Sequence, residues 1–369
     1  MTNLESIKSA VYHEQREVWQ PGDTAAANIF CLIVNEYDNP ADTCIGAACV
    51  TFDCEDSTRM EFGYDGNIRA VIYHDKNGII LDDFTTRTSP FRPVSPPFFN
   101  YTESIIKYIL TTQDSIDWKM TDMKDHYYLK LTINEDRQVE FFGKAYHMPD
   151  NPYIYGNTTS VYELWISKSD DLPHKVRREM AHSISVNSRS KAEFNTLSIA
   201  DFNMFAYLPA DYEIRNYGDA GKRKAEPQLT GEKAPDWVLT DMDEKSVSLA
   251  DFQGKAMLIQ FTGIGCGPCM ASIPFLKKLK DKYSADDFEV IAIETWIRRA
   301  ASLRNYSNKH DLNYSMLNGT DKLIDDYKAG RAVPVFFIID KQHNIRKVIN
   351  GYSEKTTDEE ILKALSELL

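Results

Sequence analysis

The chain has 369 residues, 43% hydrophobic and 26% charged, with a formal net charge of −13. That length exceeds one ordinary core and points to two domains. The acidic balance argues against nucleic acid, whose phosphates need a basic face, and no apolar run approaches the ~20 residues of a membrane-spanning helix. The opening MTNLESIKSAVYHEQ lacks the basic and apolar regions of a signal peptide. Two readings follow: a cytoplasmic protein, or a mature form whose leader has been removed.

From Met1 to about Arg215 the pattern is β-rich. Tyr127 to Ile133 and Val161 to Ile166 alternate apolar and polar residues, as half-buried antiparallel strands do. Asp65-Gly66, Lys76-Asn77-Gly78, Pro149-Asp150-Asn151-Pro152 and Asp170-Asp171-Leu172-Pro173 read as turns. Two helices are predicted. One runs from Leu4 to about Trp19, on the spacing of Leu4, Ile7, Val11 and Trp19. The other runs from Thr102, read as its cap, to about Thr112, on the stripe Ile105, Ile106, Ile109 and Leu110. The proline-rich stretch from Thr88 to Pro97 reads as a loop.

Residues 216–233 are polar and aperiodic and read as a linker between domains spanning 1–215 and 234–369. After the linker the chain alternates strands and helices. Met257 to Phe261, Phe288 to Ile293, Val335 to Asp340 and Ile345 to Ile349 are the predicted strands. Gly267 to Tyr283, Arg299 to Lys309, Asp321 to Lys328 and Asp358 to Leu369 are the predicted helices. This α/β order implies a central sheet covered on both faces.

Cys266-Gly267-Pro268-Cys269 lies between the first of these strands and its helix. A thiol is a nucleophile only as thiolate, and a free cysteine titrates near ~8.5. A helix N-terminus favours the negative charge. Cys266, at the strand-to-helix junction, is therefore expected to be exposed and activated, and Cys269, one turn inside, more buried. Thiolate Cys266 would attack a substrate disulfide, and Cys269 would resolve the mixed disulfide. Gly267 and Pro268 suit the tight start of a helix. Zinc would need four ligands. There is no second CxxC, and His310 and His343 are isolated, so no metal is assigned; an inert packed pair is the other alternative. Val333-Pro334 opens a strand about 65 residues downstream, where proline is tolerated.

Ala234-Pro235-Asp236-Trp237, Val247 to Phe252, Gly254-Lys255, the CGPC motif, Pro274 and Val333-Pro334 together resemble the thioredoxin-fold proteins of the TlpA/ResA type. The resemblance covers nearly all of 232–369. It implies an α/β thioredoxin fold and a thiol–disulfide oxidoreductase whose only redox group is its own disulfide, with no cofactor. It also implies a disulfide-containing protein substrate and a membrane electron donor. The location would be periplasmic or cell-envelope, with a lipid anchor as one option, which favours the mature-form reading. Gly265, Gly267, Pro268, Val333 and Pro334 would form the substrate groove, with Pro334 as a cis proline facing the cysteines.

The departures from that family are specific. Gly265 stands where Trp is usual. Gln260 stands where thioredoxin has a buried Asp, and Ser272 where several ResA-type members have Glu. Glu294 is the nearest candidate for proton transfer, its alternative being an ordinary solvent-facing carboxylate. CGPC is thioredoxin's own sequence and suggests a reducing couple near roughly −270 mV. A peroxiredoxin is the rival within the fold, but it would place Thr three residues before its cysteine, and Thr262 lies four before Cys266.

The N-terminal region resembles the LolA-like family through Tyr64-Asp65-Gly66, Tyr162 to Ile166 with Leu172-Pro173, Asp201-Phe202, Leu208-Pro209 and Asp211-Tyr212. That resemblance implies a mainly antiparallel curved sheet or half-barrel with helices, and a groove for a lipid or lipoprotein. Lipid or lipoprotein binding of a chaperone-like kind, with the thioredoxin domain as scaffold, is thus the alternative function. A closed core serving as spacer or dimerisation unit is the alternative for the domain. Cys49 and Cys54 would point to opposite faces of one strand. Cys31 and Cys44 could pair with either or stay free.

Overall fold

The computed structural model describes residues 1–85, 94–149, 157–218 and 229–369. They divide into two compact units. The first comprises 1–19, 28–149 and 157–218, and the second 20–27 and 229–369. The predicted turn at Asp150 to Pro152, the start of the proline-rich loop and the middle of the 216–233 stretch lie outside the described residues.

The first unit begins with a short helix, α1 (Thr2–Glu5), followed by β1 (Ser9–Trp19), β2 (Asn28–Asp38), β3 (Ala47–Asp53), β4 (Met60–Tyr64), β5 (Arg69–Tyr73) and β6 (Gly78–Asp82). Helix α2 (Phe98–Thr111) comes next. Then follow β7 (Ile116–Asp122), β8 (His126–Ile133), β9 (Val139–Phe141), β10 (Ala145–His147), β11 (Ser160–Ser167), β12 (Pro173–Met180), β13 (Ser183–Phe194) and β14 (Glu213–Asn216). Twelve strands form one sheet in the order β14-β6-β5-β4-β3-β2-β1-β13-β12-β11-β8-β7. All its pairings are antiparallel except β14 on β6. Phe98, Phe99, Ile105 and Tyr108 of α2 pack with Ala10 and Tyr12 of β1, Leu129 and Leu131 of β8, and Tyr162 and Leu164 of β11.

The predicted helix over Leu4–Trp19 is wrong beyond Glu5. Ala10, Tyr12 and Glu14 are buried at a spacing of two, and β1 pairs with strands on both sides. A carboxylate at one inward position hides the alternation. Glu14 is kept inside by Arg16 and Asn187.

Helix α2 starts at Phe98, not at Thr102. The Thr102 hydroxyl instead donates to the Phe98 and Phe99 carbonyls inside the first turn. The carboxylate that receives the first N–H groups is Glu36 of β2, which accepts from Phe99 N at 3.1 Å, Asn100 N at 2.7 Å and the Tyr12 hydroxyl at 2.8 Å. An acceptor so distant in sequence leaves no local capping signal.

Burial pushes Glu36 up to about 7, against the pull of those three donors. A folded-state value above the unfolded one means that the folded chain binds the extra proton. The stabilisation is then present below the unfolded value and is lost as pH rises through about 7. Denaturant midpoints are accordingly expected to fall between about pH 5 and pH 8. Glu36→Gln should flatten that fall, and parallel profiles for the two proteins would contradict the assignment.

The second unit contains β15 (Val238–Asp241), β16 (Ser246–Ser248), β17 (Ala256–Thr262), α3 (Gly267–Lys282), β18 (Phe288–Glu294), α4 (Ala300–His310), β19 (Ser315–Asn318), α5 (Asp321–Asp326), β20 (Val335–Ile339), β21 (Ile345–Asn350) and α6 (Thr357–Ser366). The sheet order is β16-β15-β19-β18-β17-β20-β21. β17, β18 and β19 are parallel, β20 runs against β17, and β21 runs against β20. Ala256 and Leu258 of β17 face a core shared with α3, α4 and α6. Met257, Ile259 and Phe261 face the opposite core, with α5 and Trp237. A strand buried on both faces in this way reads as one apolar run. At the ends of the 216–233 stretch, Asn216 belongs to β14 and Lys233 bridges to Asn344.

Candidate active site

β17 ends at Thr262 and α3 begins at Gly267, so four residues turn the chain from sheet to helix. A Cβ at Gly263 would lie 2.4 Å from the Trp296 ring, so any other residue there would have to displace that ring. Gly265 has φ +90°, where a side chain is strained. The family's usual Trp therefore has no place at 265 in this turn.

Cys266 is the N-cap of α3. Its Sγ accepts from Cys269 N at 3.2 Å, and its own N–H donates to the Gly263 carbonyl at 2.9 Å. Cys266 and Cys269 are disulfide-bonded, with Cα atoms 5.2 Å apart. Sγ of Cys266 lies 3.7 Å from the Val333 carbonyl oxygen. The Val333–Pro334 peptide is cis. The expectation that Cys266 is exposed does not hold for this oxidised form, in which Cys266 is 4% exposed and Cys269 1%. Exposure falls instead on Gly265, with Gly267, Pro268 and Val333 half-buried and Pro334 buried.

Two departures from the family meet in space. Gln260 Nε2 donates to the Ser272 hydroxyl at 2.8 Å, and that hydroxyl donates to the Cys269 carbonyl at 2.7 Å. A neutral amide–hydroxyl pair thus stands beneath Cys269, at the two positions where the resemblance led carboxylates to be expected. Ser272→Ala would leave the buried Gln260 amide without its acceptor. A loss of about 1–3 kcal/mol in urea unfolding is expected, and an unchanged midpoint would show that the pair carries no weight.

Glu294, at the end of β18, is fully buried rather than solvent-facing. Among the described residues its oxygens accept from three backbone donors: Ile264 N at 2.7 Å, Trp296 N at 2.6 Å and Ile297 N at 2.9 Å. Burial pushes its carboxyl up despite these bonds. The carboxylate thus ties down the turn two residues before Cys266. It touches the amides, and so acts through the position of that turn. Trp296 escaped the sequence reading. Half-exposed, it lies on Gly263 and donates from Nε1 to the Arg331 carbonyl at 3.4 Å, presenting an aromatic face beside the motif where Gly265 has none.

A helix-capping sulfur with an amide aimed at it, a partner thiol one turn on and a backbone carbonyl alongside can break and remake a disulfide. Residues 229–365 match the Redoxin family. Over 144 residues the chain is 30% identical to the thiol-disulfide oxidoreductase ResA of Bacillus thuringiensis subsp. konkukian, which covers 39% of this chain and 82% of that protein. Through its second unit, the chain belongs to the ResA-type thiol–disulfide oxidoreductases. The ResA of Bacillus subtilis is 27% identical over 140 residues, 38% of this chain and 76% of that one. A crystal structure of the thioredoxin domain of a Bacteroides vulgatus thiol-disulfide oxidoreductase aligns at 22% identity and a TM-score of 0.33, over 38% of this chain and 98% of that chain. Its relatedness to ResA and its Redoxin match make the chain a thioredoxin-like oxidoreductase.

A different kind of site lies in the first unit, where a cavity of about 890 Å3 is lined by Ile29, Phe30, Leu32 and Phe142 together with Arg16 and Arg178. Asp114, Glu135 and His147 also bring ligand atoms within 4.8 Å of one another. Asp114 is already engaged there by the Tyr108 hydroxyl and by His147.

Proposed function

We propose that this ResA-type protein is an extracytoplasmic reductase of protein disulfides. Thiolate Cys266 attacks one sulfur of a substrate disulfide, and the other sulfur leaves as thiolate. Cys269 then attacks Cys266, which releases the second substrate sulfur and closes the Cys266–Cys269 disulfide. A membrane electron donor returns two electrons and restores the dithiol. Gly265, Gly267, Pro268, Val333 and Pro334 form the groove along which the substrate chain lies.

The observation that carries this reading is the placement of Cys266 Sγ, with Cys269 N at 3.2 Å and the Val333 carbonyl at 3.7 Å. The location rests on the resemblance to TlpA/ResA-type proteins, and a lipid anchor is compatible with it. The test is turnover of insulin disulfides by the reduced protein. Acceleration over dithiothreitol alone is expected, and its absence would sink the reading.

The cavity of the first unit supports a second reading. Its size lies within the range of ligand sites, and Ile29 and Phe30 beside it are exposed apolar side chains. In that reading a LolA-like unit holds a lipid or lipoprotein chain and the thioredoxin-like unit is its scaffold. Lipid retained through purification, with no reductase turnover, would favour it.

A further inference from the structure

Four cysteines lie outside the CGPC motif, and the strand register separates them. Cys49 is buried in β3, opposite Glu36 on one side and Tyr64 on the other, so neither neighbour is a cysteine. Burial pushes its thiol up to about 12. Cys31 is exposed on β2 and faces Gln15 of β1. On its other side the ladder ends with Leu32 paired to Asp53, which brings Cys54, the next residue, alongside Cys31. Opposite residues of an antiparallel pair share one face, with Cβ atoms about 4.5–5.5 Å apart. The Cys54 thiol is the neighbour that most perturbs Cys31.

We propose that Cys31 and Cys54 form a second thiol–disulfide couple, carried by the first unit and exchanging with disulfides in solution. A disulfide needs its Cβ atoms at about 3.5–4.5 Å, so the two strands must draw slightly together. Cys54 can make that movement because β3 ends at Asp53. The chain turns there, with Glu55 N and Asp56 N donating to the Asp53 carboxylate. Cys54 is half-buried and Cys31 exposed, so a small disulfide can reach them.

The neighbouring Cys54 thiol, burial and the charges of Asp53 and Glu55 push the Cys31 thiol up to about 11. Cys54 therefore attacks first. With glutathione disulfide as oxidant, a Cys54–glutathione bond forms and one glutathione thiolate leaves. The Cys31 thiol still holds its proton at this stage. Cys31 loses that proton and attacks the Cys54 sulfur, the Cys31–Cys54 bond forms, and the second glutathione leaves. Two electrons pass from the protein dithiol to glutathione, and its two thiol protons end on the two glutathione molecules.

The test uses the full-length Cys266→Ser/Cys269→Ser chain, so the outcome does not depend on the reductase reading. It is equilibrated over a range of reduced-to-oxidised glutathione ratios, alkylated in acid, digested and read by mass spectrometry. A reversible loss of two thiols per chain is expected, with one linked peptide joining Cys31 to Cys54, while Cys44 and Cys49 remain alkylated. Cys31→Ser in that background should instead keep glutathione on Cys54, because nothing opposite can displace it. The wild-type chain, read by the same peptide, covers the case in which the serine variants misfold. The proposal fails if Cys31 and Cys54 stay alkylated at every ratio. It also fails if both keep stable glutathione adducts in the parent, or if the linked peptide contains Cys44 or Cys49.

Discussion

Cys266→Ser is expected to abolish disulfide reduction, with a loss on the order of 1,000-fold or more, since the attacking sulfur is gone. Cys269→Ser should lose turnover just as fully but for a different reason. Its Cys266 still attacks, the mixed disulfide forms, and no thiol one turn inside α3 displaces it. Substrate should therefore be captured covalently on Cys269→Ser and never on Cys266→Ser, as read on non-reducing gels after acid quenching. The asymmetry comes from the helix start. Cys266 is the N-cap whose sulfur meets the Cys269 amide, whereas Cys269 lies inside the first turn and is more buried. An adduct on Cys266→Ser, or equal trapping by both variants, would reverse the roles.

Glu294→Ala should have the largest effect on stability of any substitution near the motif. It strips the acceptor from three backbone N–H groups in a buried turn, and each such group costs about 1–3 kcal/mol when unpaired. A loss of roughly 3 kcal/mol or more in denaturant unfolding is expected. Glu294→Gln separates charge from geometry. Its amide oxygen can keep Trp296 N and Ile297 N, but its NH2 group would face Ile264 N, another donor. The Gln variant should therefore stay folded while the turn before Cys266 loosens, and reductase turnover should fall about tenfold, one lost hydrogen bond's worth of positioning. Full activity in Glu294→Gln would show that the Ile264 tether does not position the motif.

What the sequence disclosed and what it hid follow from how local each signal is. In the second unit the apolar runs of β17, β18 and β20 are continuous because both faces are covered, and Cys266 to Cys269 sits at a junction that those runs bracket. The pairing of Gln260 with Ser272 spans a strand and a helix, so each residue reads alone as a departure from the family and only the fold joins them. Glu294 was singled out by its place at a strand end, but the backbone N–H groups of Ile264, Trp296 and Ile297 that hold it in the interior are brought to it only by the fold. In the first unit, β1 carries Glu14 at an inward position and so loses the alternation that marks a strand. Helix α2 begins without a local cap because Glu36 of β2 supplies the acceptor. Cys31 and Cys54 are more than twenty residues apart in sequence, and only the end of the β2–β3 ladder brings one beside the other.

The reduction potential of the Cys266–Cys269 couple tests the central claim most directly. It is read by equilibrating the Cys31→Ser/Cys54→Ser chain in dithiothreitol or glutathione buffers and trapping thiols, so that one couple alone is titrated. A reductase built on CGPC, with a neutral Gln260–Ser272 pair beneath Cys269, should give a value near roughly −270 mV. A value above about −180 mV, in the range of isomerases and oxidants, would contradict it.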